Sequence, residues 1–154
     1  MKISHLPIRL AAGALFLNSG ISKLGMPPEQ AAGLKQMASA GVPGLESVDD
    51  KTFAKALPAG EIALGAALLL PFVPSWLAGA GLAAFSAGLL NMYRNTPGMT
   101  LEDGIRPTQE GLPLAKDVAF LGIGATLVLD TVFSRRRVVR KVRADTVKVK
   151  PVRS

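Results

Sequence analysis

The chain has 154 residues, about one domain, with 49% hydrophobic residues, only 5% aromatics and a mean hydropathy of +0.33. It has no cysteine and a single histidine, His5, which excludes disulfides, thiolate or iron–sulfur centres, thiol redox chemistry and a histidine-built metal site carried by this chain alone. The formal net charge is +7, but nine of the eighteen basic residues fall in the last twenty positions, so the excess is a tail and not a nucleic-acid-binding surface.

Apolar residues cluster in runs instead of alternating with polar ones, and this identifies lipid as the solvent. The first run, residues 6–24, is helical in pattern and carries Arg9, Asn18 and Lys23. It reads as a retained span and not a cleaved leader, because no small-x-small site closes it and Lys23 stands where such a site is needed. Arg9, Gly13, Phe16, Gly20 and Lys23 recur at intervals of four and three, which places them on one helix face. Gly13 and Gly20 on that face make it a packing seam. His5, just before the run, is expected to be solvated or interfacial.

Residues 25–56 form a polar connection containing one short helix, residues 29–40, after Pro27 and Pro28 and ended by Gly41. Its modest apolar face, Ala31, Leu34, Met37 and Ala38, either packs on the membrane interface or lies over the mouth of the bundle as a lid. Residues 57–93 are too long for one span of about 20 residues. Pro71 and Pro74 in "PFVPS" break them into a hairpin of two helices, residues 57–73 and 76–93. In the second arm, Gly79, Ala83 and Ala87 form another close-packing stripe. A further connection, residues 95–111, leads to a last span, residues 112–133, with Pro113 in its first turn where a missing N–H costs nothing.

The expected architecture is therefore an all-α, integral-membrane four-helix bundle over residues 1–134. A basic tail, residues 135–154, follows as a disordered or interfacial segment. Lys2, Arg9 and the tail put both termini in the cytoplasm by the positive-inside rule, while the near-neutral or acidic connections face outward. Arg135, Arg136, Arg137, Arg140, Lys141 and Arg143 would then lie against anionic lipid.

With that topology, the polar residues inside the spans gather at one end. Lys23, Glu61, Asn91, Arg94, Lys116 and Asp117 all fall near the outer ends of their helices. Charges in lipid usually face the bundle interior and pair. Three cations against two anions leave one positive charge, so the cluster is either a polar clasp that fixes helix order or a site for the anionic or carbonyl head of a ligand. Lys116 and Asp117, about 100° apart on a helix, must reach different neighbours. Arg9 and Asp130 sit at the opposite end and either pair with each other or snorkel to the headgroups.

Three stretches, "RLAAGALFLNSGISKL" from Arg9, "GEIALGAALLLP" from Gly60 and "KDVAFLGIGATLVL" from Lys116, resemble the DoxX-like family of small bacterial four-helix membrane proteins. The resemblance implies a bacterial inner-membrane protein in which Arg9, Lys23, Glu61, Lys116 and Asp117 fall on the family's polar pattern. It also implies a role beside subunits of quinone-linked oxidoreductases or membrane redox-stress complexes.

Three functions follow. The first is an accessory or anchoring subunit of a quinone-linked redox or oxidative-stress complex, with no covalently bound cofactor, quinone as the candidate ligand, and a membrane protein partner or a second copy of the chain beside it. The second is a small-solute transporter or channel working through Glu61 or Asp117, against which the polar groups stop at one leaflet. The third is a structural or assembly factor without a ligand. No self-sufficient catalytic or metal centre is visible in the sequence.

Overall fold

A computed structural model describes the backbone of residues 2–148 and the side chains of residues 2–134. Six helices follow one another: α1 Leu6–Ser22, α2 Pro28–Ser39, α3 Asp50–Leu69, α4 Ser75–Asn95, α5 Leu112–Ala115 and α6 Asp117–Lys148. Among the described residues there is no strand, only one antiparallel bridge between Thr100 and Pro107.

Four of the helices are long and pack as two antiparallel pairs, each closed by glycine. In the first pair, a Cβ on Gly13 of α1 would fall 2.8 Å from the Leu69 side chain and 3.1 Å from the Gly65 carbonyl oxygen of α3. One on Gly20 would fall 2.8 Å from the Pro58 carbonyl oxygen. In the second pair, Gly79 of α4 and Gly124 of α6 meet in the same manner, with Gly124 pressed against the Ala83 backbone. Such approaches maximise dispersion between backbones where lipid supplies no hydrophobic force between helices. Ala12, Leu68, Ala78, Leu82 and Leu127 fill the space between the pairs.

Three helices are long and apolar enough to cross a membrane: Asp50–Leu69, Ser75–Asn95 and Leu112–Ser134. The expected count of four is corrected to three by this measure. α1 has 17 residues, about 25 Å of helix against a hydrocarbon layer of about 30 Å. It stops at Lys23 because the chain turns away through Gly25, whose φ of 71° is left-handed.

α3 begins seven residues before the apolar run. Asp49 caps it, accepting from the Thr52 N–H at 2.9 Å, so the boundary of the apolar run marks a change of surroundings and not the first turn of the helix. At its other end, α3 leaves carbonyls unpaired at the Pro71–Pro74 turn. Arg9, only 1% exposed, donates to the carbonyl oxygens of Ala67, Leu68, Leu70 and Val73 and to the Ser75 hydroxyl, at 2.7 to 3.0 Å. It thus neither pairs with Asp130 nor snorkels; a planar five-donor group is what a buried helix end with several orphan acceptors needs.

Asp130 instead accepts from Lys2 at 2.5 Å and hydrogen-bonds the His5 ring at 2.7 Å, while Lys2 also bonds Ser134. His5 is 4% exposed, contrary to its expected solvation, because this contact draws the N-terminus across the end of α6. α6 itself continues to Lys148, so the backbone is helical well into the basic segment that the sequence marks as disordered or interfacial. The side chains of Arg135, Arg136, Arg137, Arg140, Lys141 and Arg143, and residues 149–154 altogether, lie outside the described residues.

Candidate functional site

At the end of the bundle opposite Arg9, the helix pairs diverge around a cavity of about 620 Å³, which is walled by α1, α2, α3, α4 and the α5–α6 segment. Its size falls in the ordinary range for small-molecule pockets, about 300 to 1,000 Å³. Most of the wall is hydrocarbon. Phe16 stands at its base in edge-to-face contact with Phe85 and Phe120, the ring centres 5.2 and 5.4 Å apart.

Three of the six polar residues singled out in the sequence line the cavity: Lys23, Glu61 and Asp117. The Lys23 ammonium reaches both oxygens of Glu61, at 3.0 and 2.9 Å, and donates to the Ser19 hydroxyl at 2.5 Å. Glu61 is 6% exposed and Asp117 8%. Among the described residues, Asp117 has no hydrogen-bond or ion-pair partner, although its place at the start of α6 favours a negative charge.

The other three stand elsewhere. Arg94 and Lys116 are exposed and take no part in the cavity wall. Lys116, at the junction of α5 and α6, is exposed while Asp117 is buried, in keeping with their separation of about 100° along a helix. Asn91 donates to the Gly41 carbonyl at 2.6 Å and holds the end of α2 against α4. The expected surplus of positive charge is therefore corrected. One lysine faces two carboxylates, and the cavity carries a formal charge of −1 when both are ionised.

The short connection helix is the larger surprise. Leu34, Met37 and Ala38 of α2 form part of the cavity wall. α2 is fastened through its C-terminal half: Lys35 pairs with Asp50 at 3.0 Å, and Gly41, just past its end, packs so tightly on Met92 that a Cβ there would meet its backbone nitrogen at 2.4 Å. Of the wall residues not singled out in the sequence, Ser19 carried a signal, standing one turn before Lys23. Phe120 likewise stands one turn after Asp117. Phe85 carried none, since nothing in α4 marks which apolar side chain turns toward the other pair.

No match is found among curated proteins or among solved structures. The family described as methylamine utilisation protein MauE matches residues 1–130, which covers α1 to α5, the first part of α6 and every residue lining the cavity. This overturns the DoxX-like resemblance. The three stretches that suggested it, all inside the matched range, are glycine-rich apolar helices with one or two charges, and such helices look alike wherever close packing in lipid selects small residues. By that match the chain belongs to the family of methylamine utilisation protein MauE.

Proposed function

We propose that this chain is a multi-pass accessory membrane component of a methylamine utilisation system, holding a small ligand in the cavity beneath α2 and not itself carrying electrons. The observation that carries the reading is the closed Lys23–Glu61 pair in a mostly apolar chamber that is also lined by Asp117, nearly buried and without a partner among the described residues. A clasp needed only for helix order would satisfy every charge. A chain without cysteine, with one histidine 4% exposed at the far end, relies on a partner for redox chemistry. The quinone link came with the DoxX-like resemblance and leaves the reading with it.

In this reading α1 is a fourth pass. It runs antiparallel along α3, with Arg9 beside Leu70 and Lys23 beside Glu61, so it accompanies that helix over nearly the whole apolar stretch. Four passes bring the basic termini together in the cytoplasm and turn the cavity and α2 to the outer side of the cell membrane. A transport role finds less support, because Arg9, Leu68, Leu82 and Leu127 fill the bundle below the cavity.

The test is growth on methylamine. In a strain that depends on this chain, deletion is expected to abolish growth, and Glu61→Gln or Asp117→Asn to impair it at unchanged membrane abundance. Growth unaffected by the deletion would sink the reading. Mass spectrometry of what co-purifies with the full chain in mild detergent then identifies the protein partner.

A further inference from the structure

We infer that the cavity is a site for an organic ammonium ion, its charge held against Asp117 and its apolar body lodged among Phe16, Phe85 and Phe120. This rests on the reading of the cavity as a ligand site and deepens it.

Both Glu61 oxygens are taken by Lys23, whose ammonium also holds Ser19, so that pair is internally closed. Asp117 is more than nine-tenths buried, lines the same chamber, and has no partner among the described residues. The nearest cations in sequence and at the neighbouring helix end, Lys116 and Arg94, are exposed and outside the wall. An ionised carboxylate in such surroundings demands a counter-charge.

The wall decides which one. Calcium takes six to eight oxygen ligands and magnesium a near-octahedral set, whereas this chamber offers one free carboxylate in a mostly hydrocarbon wall whose uncharged polar members are Asn18, Ser19 and Ser22, with the Ser19 hydroxyl already bonded to Lys23. No group of three His, Cys, Asp or Glu side chains suited to a metal occurs among the described residues. An ammonium head needs one carboxylate and little else, and aromatic faces attract it further. Phe120 lies one helical turn from Asp117, on the same face; Phe16 packs edge-on against it, and Phe85 packs edge-on against Phe16. A cavity of about 620 Å³ is far larger than an ammonium head, so the occupant carries a substantial apolar body. A free alkylamine and an ethanolamine-headed lipid share this chemistry.

The experiment uses the full chain in nanodiscs of phosphatidylglycerol, which contain no amine or ammonium group, titrated calorimetrically with hexylammonium and, as the neutral control, hexanol, with protein-free nanodiscs as the blank. Saturable hexylammonium binding is expected, weakened roughly tenfold or more by Asp117→Asn, with hexanol binding far more weakly. Absent binding, equal binding of the two compounds, or undiminished binding by the variant would overturn the inference. A readout on the unmodified chain removes any dependence on how the variant folds: hexyltrimethylammonium, which has no nucleophilic nitrogen to couple to an activated carboxyl, should protect Asp117 from carbodiimide labelling followed by mass spectrometry, and hexanol should not. Equal labelling with both is a refutation. Adding phosphatidylethanolamine separates the sources, since a headgroup occupant competes with hexylammonium and a free-amine site is indifferent to it. If hexylammonium fails to bind while Asp117→Asn still impairs growth on methylamine, the ammonium site falls and the accessory role stands; if binding persists while deletion leaves growth intact, the role falls and the site stands.

Discussion

Arg9 shows how one side chain can be read for its charge and still be misplaced. A lone arginine near the end of an apolar helix suggests a headgroup contact or an acidic partner, and Asp130 was available in the sequence. The guanidinium instead closes the unpaired end of α3 through five hydrogen bonds. An orphaned buried carbonyl costs about 1 to 3 kcal/mol, so Arg9→Leu is expected to lower stability by roughly 3 kcal/mol or more. Arg9→Lys should recover only part, because a lysine ammonium has three donors and no planar fork. Denaturant unfolding of both variants in detergent checks this; an Arg9→Leu protein as stable as the parent would mean that water or lipid already satisfies the turn. Asp117 is the converse case. Its separation of about 100° from Lys116 was readable in the sequence; that no other side chain among the described residues would reach it was not.

Elements differ in how much of themselves they announce. The long helices were legible because lipid requires apolar runs and prolines interrupt them; their ends were not, since capping by Asp49 and closure by Arg9 are hydrogen bonds that hydropathy does not register. α2 was visible as a helix, yet its role as a wall depends on contacts to Met92 and Asp50 that sequence spacing does not encode. The connection between α4 and α5 has its own logic. Asp103 accepts from the Arg106 guanidinium at 2.5 Å and from the Ile105 and Arg106 amides, while Tyr93 donates to the Ile105 carbonyl at 2.7 Å. The Arg106 side chain first, then those amides, hold the Asp103 carboxyl below its ordinary value. A carboxyl lowered by folding stabilises the loop above its unfolded pKa, about 3.9, and that contribution is lost as the pH falls through the folded value. Amide exchange at Ile105 and Arg106, corrected for its intrinsic pH dependence, should therefore lose protection below about pH 4. Asp103→Asn should remove that pH dependence; an unchanged profile in the variant would assign it elsewhere.

At the scale of the whole molecule, two glycine-sealed helix pairs meet through a core at one end and part around a cavity at the other. Orientation is the open physical variable, and the basic tail is the device proposed to set it. Removing residues 135–154 is expected to invert or scramble the topology, read by reporter fusions at both termini, because those residues hold half the positive charge of the chain. Normal topology after truncation would hand that role to Lys2 and Arg9.

The amino-acid sequence by itself determined that this is an all-α protein of long apolar helices, that the glycine seam of α1 packs closely, and that this chain alone supplies no thiol and no histidine-built metal site. These follow from local rules: apolar length, proline geometry and residue inventory. Only the tertiary structure decided which charges meet. It closed Lys23 on Glu61, sent Arg94 and Lys116 outward, brought α2 over the chamber and left Asp117 facing it alone. Sequence periodicity fixes the face of a helix on which a residue sits, but the rotation of that face toward a neighbour is set by how two helices pack, and for charges in lipid that rotation decides everything.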